Sequence, residues 1–215
     1  MSNPFELLRR RGWAMFRTGP SPKRILALAE ELGIPIAPPN RPALHCLPAR
    51  PENTAAVNTY SGRFGMGEFP LHTDMANWTT PPRYVLLRRK SPDASVPTLV
   101  ADPVIPLQSV DLAQLKKGIW VGRAARRSFV CNLLAMKNGH HLFRWDPVTL
   151  KPLTDDARNV QAELEAILRK GKVTPIDYDD ETTVVLDNWR ILHARPRVLI
   201  EQRVMERVLV MERRR

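Results

Sequence analysis

Cysteine is nearly absent: Cys46 and Cys131 are the only two in 215 residues. Two cysteines make no disulfide framework, and without a Cys-x-x-Cys pair they make no zinc knuckle. No apolar run approaches the length needed to span a bilayer. The start, Met1 to Arg9, lacks the charged, apolar and small-residue segments of a secretory signal. A reduced, cytoplasmic protein without a membrane association is the expectation. Glycine is also scarce, at 10 residues, and the cluster Gly62, Gly65 and Gly67 lacks the spacing of a phosphate loop. Acidic residues are in deficit, 22 against 33 lysines and arginines, for a net charge of +11. That balance favours anionic partners: nucleic acid, phosphorylated metabolites or small carboxylates. The arginines stand in short clusters (Arg9 to Arg11, Arg126-Arg127, Arg213 to Arg215) and not along one helix. Nucleic acid is therefore the lesser alternative.

What is present points to a globular chain, 43% hydrophobic, with residues 1–215 read as one domain. Its 20 prolines bound many short segments, which suits strands and structured loops better than a helical bundle. Strands are expected at 12–16, 44–47, 55–60, 83–88, 98–102, 120–123, 128–134, 173–176, 182–186 and 203–211. A helix opens at Ser21-Pro22 and ends at Gly33, with Ile25, Leu28, Ala29 and Leu32 at helical spacing. A second is expected over 105–117, and a third over 155–170, capped by Thr154 with Asp155 and Asp156 at its positive end. Residues 61–67 read as a flexible loop, and His140-His141, in the turn Lys137-Asn138-Gly139-His140-His141, as a hairpin tip. Strands outnumber peripheral helices, so the fold class is mainly β with flanking helices, a jelly roll or β-sandwich.

The chemistry centres on Phe69-Pro70-Leu71-His72-Thr73-Asp74. On an extended strand, residues two apart share a face, so His72 and Asp74 can reach one metal ion. A distant second histidine would complete a two-His-one-carboxylate facial triad, the set that leaves open positions on non-haem Fe(II). Five histidines are available. His193 follows a β-branched strand, where a double-sheet barrel presents a ligand at its mouth. His140 and His141 belong to the hairpin, and His45 is read as a structural or surface strand residue.

With these motifs the chain resembles the TauD/TfdA family of Fe(II)- and 2-oxoglutarate-dependent dioxygenases. The resemblance rests on four motifs in order: Phe69 to Asp74 followed by Pro81-Pro82; Thr98-Leu99-Val100-Ala101-Asp102; Asn188 to Arg195 around His193; and Arg203-Val204-Met205-Glu206-Arg207. Ala194 stands where that family usually has glycine. The resemblance implies a double-stranded β-helix (cupin-like) core, with His72, Asp74 and His193 on Fe(II), and O2 and 2-oxoglutarate as co-substrates. It places Thr98 and Arg203 on the distal carboxylate of 2-oxoglutarate, a role for which a planar guanidinium suits better than an ammonium. Arg207, on the same face of a regular strand, is the second candidate, for that carboxylate, the other one or an anionic substrate group. Because Asp74 is a carboxylate and not the small residue of related halogenases, hydroxylation or another oxidation, with release of succinate and CO2, is the implied outcome.

The substrate is expected to be a small polar or anionic, amino-acid-like metabolite, met by residues flanking the motifs: Asn58, Tyr60, Arg63, Glu68, Met75, Asn77 and Trp78. The chain is short for that family, which implies a more open site. Arg144 and Asp146 read as a charge pair bracing the barrel mouth. The alternatives are a nucleotide- or nucleic-acid-directed oxygenase and a non-catalytic β-sandwich binding protein. Nothing in the sequence sets the oligomeric state.

Overall fold

A computed structural model describes residues 3–38, 40–51, 54, 60–91, 96–102, 110, 112–124, 127–199 and 202–213. The chain begins with α1 (Pro4–Arg11), β1 (Trp13–Arg17), α2 (Pro22–Leu32), β2 (Ile34–Ile36), β3 (Leu44–Pro48) and α3 (Tyr60–Phe64). It continues with β4 (Phe69–His72), β5 (Tyr84–Arg89), β6 (Thr98–Ala101) and α4 (Leu112–Lys117). Next come β7 (Trp120–Ala124), β8 (Arg127–Cys131), β9 (Leu134–Lys137), β10 (His140–Phe143), β11 (Leu150–Pro152) and α5 (Asp155–Lys170). It closes with β12 (Thr174–Ile176), β13 (Thr182–Asp187), β14 (Leu192–Arg195) and β15 (Val204–Met211).

Two antiparallel sheets carry the fold. The larger runs β1-β13-β5-β15-β2, with β3 also on β15; the smaller runs β12-β6-β14-β4. Alternation along each strand divides the core into three layers. Between the sheets lie Val85, Leu87, Val184, Leu186, Met205 and Leu209 from one and Val100 and Ile176 from the other. Behind the larger sheet, Leu86, Val185, Val208 and Val210 meet Leu8 of α1 and Ile25, Leu28 and Ala29 of α2. Behind the smaller sheet, Ala101 and Leu192 meet Trp120, Trp145 and the stripe Ala157, Val160, Leu164 and Leu168 of α5. Each fully buried aliphatic side chain in these layers contributes about 1.5–3 kcal/mol. The chain is thus a mainly β double-sheet structure with helices on its outer faces.

The helix of 155–170 forms as its signals predict, the Thr154 hydroxyl accepting from the Ala157 N–H. Among the described residues, no helix is long and apolar enough to cross a membrane. Several expectations need correction. The basic start is a helix, α1: Asn3 caps it, Pro4 opens it, and Gly12 at φ 77° ends it. A Cβ at Gly12 would also press on the Ile191 side chain, 2.5 Å away. Tyr60 begins α3 and not a strand end, and residues 61–64 are helical where a loop was expected; 55–59 lie outside the described residues. The expected strand over 128–134 is split between β8 and β9, and only 112–117 of the expected helix over 105–117 is described as helical. The hairpin forms, but its tip is Asn138-Gly139, both at positive φ between β9 and β10, the pattern of a two-residue turn matched to strand twist; His140 and His141 lie on β10 and not in the turn.

Candidate metal centre

His72 ends β4 and His193 lies on β14, directly opposite each other in the register of the smaller sheet. Asp74 is two residues past His72, but it sits in a turn beyond the strand end. The same-face argument from strand alternation therefore does not place it. What places it is Asn188: the Asp74 N–H donates to Asn188 Oδ1 at 2.7 Å, and Asn188 Nδ2 donates to the Asp74 and Pro82 carbonyls at 3.0 and 2.9 Å. Trp189 Nε1 donates to the Pro81 carbonyl at 3.0 Å, so the Asn-Trp pair clamps the turn from both sides. Met75, at φ 55°, carries the sharp turn that follows, a conformation costly for a side chain and held by such surroundings.

The three side chains converge. His72, Asp74 and His193 offer ligand atoms within 4.8 Å of one another, all three being buried. Asp74 Oδ1 lies 3.6 Å from His72 Nε2 and 3.8 Å from His193 Nε2. His72 Nδ1 lies 2.8 Å from the Pro70 carbonyl, so its proton belongs there and the Nε2 lone pair faces the centre. Burial opposes the charge on Asp74, but Arg207 and the two imidazoles outweigh it and hold the carboxyl far below its usual range. Burial, reinforced by His72, pushes His193 down to about 3. Burial also works against charge on His72, where hydrogen bonding and attraction to Asp74 prevail and its pKa rises. Two nitrogens and one ionised oxygen on one point form a donor set suited to a divalent first-row metal.

Thr98, Tyr178, Arg203 and Arg195 form a second, cationic cluster. Thr98 on β6 pairs its hydroxyl with that of Tyr178 at 2.6 Å. Tyr178 lies close enough to the buried Arg203 for their charges to interact; burial raises the phenol, and the Thr98 hydrogen bond and then Arg203 oppose it, leaving it pushed up to about 12. Arg203 is 5% exposed, and its Nε has no hydrogen-bond partner among the described residues. A buried guanidinium with an unmet donor fits an anionic ligand. Arg195 adjoins Arg203, stacks over Phe69 at 3.6 Å and donates to the Gly65 and Gly67 carbonyls. Burial and the neighbouring Arg203 bring its pKa down to about 10.

Arg207 falls on the triad's side of β15, its Nη1 donating to Asp74 Oδ2 at 2.9 Å. Of the expected substrate-side residues, Tyr60 stands over the centre, stacked on His72 with ring centroids 4.4 Å apart. Asn58 lies outside the described residues. Arg63 and Glu68 are exposed, Met75 packs into the layer between the sheets, Asn77 donates to the Arg123 carbonyl, and Trp78 is half-buried. Arg144 and Asp146 brace the site, though among the described residues they do not pair with each other. Arg144 donates to the carbonyls of Ala76, Trp78 and Thr79, and Asp146 accepts from the Tyr60 hydroxyl at 2.9 Å. Sequence reasoning missed Tyr178, the place of Arg195 and the clamping role of Asn188; Asn188 and Arg195 both lay within a quoted motif, and Tyr178 did not.

No protein-family model matches the chain, and no curated protein matches it in sequence. Solved structures do. The non-haem iron oxygenase OrfP in complex with Fe and α-ketoglutaric acid is 21% identical, with a TM-score of 0.72 over 97% of this chain and 77% of that one. OrfP in complex with Fe, succinate and (3S)-hydroxy-L-Arg is 21% identical, with a TM-score of 0.71 over 97% and 79%. An asparagine oxygenase in complex with Fe(II), 2S,3S-3-hydroxyasparagine and succinate is 15% identical, with a TM-score of 0.74 over 97% and 77%. This chain therefore has the cupin-type double-stranded β-helix fold of these non-haem iron oxygenases.

Proposed function

We propose that the chain is an Fe(II)- and 2-oxoglutarate-dependent oxygenase of the TauD/TfdA type. It would hydroxylate a small polar or anionic, amino-acid-like metabolite in a reduced, cytoplasmic setting. The observation that carries this reading is the conjunction of a buried His-Asp-His group on the smaller sheet with a buried arginine that has an unmet donor and lies near Tyr178, the partner of Thr98 on that sheet. In this reading His72, Asp74 and His193 hold Fe(II). Thr98 and Arg203 hold the distal carboxylate of 2-oxoglutarate, with Tyr178 orienting the Thr98 hydroxyl. When bound, the iron with 2-oxoglutarate and O2 supplies oxidation of a C–H bond, the co-substrate leaving as succinate and CO2.

The protein's own part is positioning. Asn188 and Trp189 fix the Asp74 turn, and the Pro70 carbonyl fixes the tautomer of His72. Tyr60, anchored on Asp146, covers one face of His72 and shields it from water. The amino-acid class is supported by the hydroxylated amino acids held by the fold's solved relatives and by the arginine-rich surroundings of the triad. Part of the basic surface is engaged structurally, since Arg11 stacks on Trp13 and Arg190 donates to the carbonyls of Arg9 and Arg10. That weighs against nucleic acid as the substrate.

Anaerobic titration with Fe(II) and 2-oxoglutarate tests the reading. A weak charge-transfer band in the visible is expected, absent from His72→Ala, and succinate should form in air once a substrate is supplied from a metabolite library. A wild-type protein that develops no band would overturn the oxygenase assignment.

A further inference from the structure

Resting on the metal reading above, the geometry points to His45 as a positioning residue of the centre, acting through Arg207 to decide how Asp74 presents its carboxylate. His45 on β3 and Arg207 on β15 are direct cross-strand partners. Their side chains project inward, where Arg207 Nε donates to His45 Nε2 at 3.2 Å and Arg207 Nη1 donates to Asp74 Oδ2 at 2.9 Å. Arginine has donors only, so His45 Nε2 must accept and its proton must sit on Nδ1. That atom is buried and turned toward the Ala43 carbonyl without a fully formed hydrogen bond. The imidazole is therefore held neutral, in one tautomer, by the guanidinium.

The consequence falls on the carboxylate. Asp74 Oδ1 is the oxygen facing both histidines, at 3.6 and 3.8 Å, while Oδ2 is taken by Arg207. With Oδ2 occupied, Asp74 would offer a metal a single oxygen, Oδ1. Arg207 has a long, flexible stem. The acceptor at His45 removes that freedom and sets the guanidinium edge against Oδ2. Without the acceptor, Arg207 can turn away, and Asp74 is free to chelate through both oxygens.

The test uses Co(II) as the probe on the whole chain, because its visible absorption reports coordination number without turnover. His45→Phe removes the acceptor; His45→Gln keeps an acceptor oxygen within reach; His45→Asn keeps polarity but falls short of Arg207. The Phe variant is expected to bind Co(II) about tenfold more weakly, the lower end of outer-shell effects, and to change the shape of its visible band. The Gln variant should stay within about threefold of wild type with an unaltered band. Should the Phe variant fail to fold, the Asn variant carries the same expectation.

Wild-type affinity and band shape in the folded acceptor-free variants, whatever their melting temperature, would overturn the role. A Gln variant as impaired as Phe would overturn it too. A wild type that binds no Co(II) overturns the metal reading itself. Wild-type binding with indifferent His45 variants overturns only this inference.

Discussion

Two arginine pairs lie back to back on β15, and they differ in what they leave undone. On the helix-covered face, Glu206 is the register partner of Arg88. Glu206 Oε2 accepts from Arg88 Nε and Nη2 at 2.9 and 2.6 Å, and Arg88 Nη1 donates to the carbonyls of Gly19 and Ser21. Every guanidinium nitrogen is used, and Arg88 is 1% exposed. One residue along, on the inner face, Arg207 spends one donor on His45 and one on Asp74, whose Oδ1 still faces two histidines. Arg203, with the same parity, keeps a buried Nε without a partner. Arg88 serves the fold with every donor met, whereas the inner-face groups keep capacity that the proposed function gives to ligands; an unmet Nε alone does not mark such a group, since Arg144, which braces the site, also has one. Side-chain type alone does not separate them, since both are Arg–carboxylate pairs that meet at β15.

The contrast is sharpest if each set is broken separately. Arg88→Met leaves Glu206 buried and unpaired, so urea unfolding should show a loss of about 3–5 kcal/mol. Metal affinity of the folded fraction should be unchanged, because the pair faces away from the triad. A loss below about 1 kcal/mol would mean that Lys90, 3.8 Å from Glu206, takes over the pairing. Arg203→Ala should do the reverse. Removing a cation with an unmet donor leaves stability within about 0.5 kcal/mol. Losing its charge-assisted bonds to a carboxylate should raise the 2-oxoglutarate concentration needed for half-maximal signal roughly 30- to 1,000-fold, or about 2–4 kcal/mol. Near-normal 2-oxoglutarate dependence in that variant would move the carboxylate to Arg207 or Arg195.

Much of this contrast was hidden from the sequence for a physical reason. Periodicity and caps are local, so the helix from Thr154 to Gly171 and the hairpin at Asn138-Gly139 are legible residue by residue. The same signals stand at Asn3-Pro4 and Gly12, where they open and close α1. The motifs led to His72, Asp74, His193, Thr98, Arg203 and Arg207, and the structure brings these together along the two sheets. They did so partly by the wrong route, since the Asp74 turn owes its place to Asn188 and not to strand alternation. Register is not local. Which residue of β3 faces Arg207, and which of β5 faces Glu206, depends on pairings across more than a hundred residues. His45 as a partner of Arg207 and Tyr178 as a partner of Thr98 were therefore beyond reach.

The smallest expected effect separates His45 from the saturated pair by pH. Burial, then the neighbouring Arg207, lowers the His45 pKa from 6.5 to about 4. Between those values the unfolded chain binds a proton that the folded chain refuses. By linkage, stability must rise with pH across that window. The contribution is present in full above the unfolded value of 6.5 and is lost as pH falls toward 4. His193 moves in the same direction and His72 in the opposite one, so the wild-type profile alone does not isolate His45. The difference between wild type and His45→Gln does, because glutamine does not titrate and the other groups cancel. That difference should be flat above pH 6.5 and should move against the wild type by about 1 kcal/mol on descending to pH 4, allowing for solvent screening. A flat difference throughout would mean that the His45 imidazole accepts a proton in the folded state, which its bond from Arg207 forbids. In that case Arg207 must have released it, and the inner face of β15 would be as adaptable as the outer face is fixed.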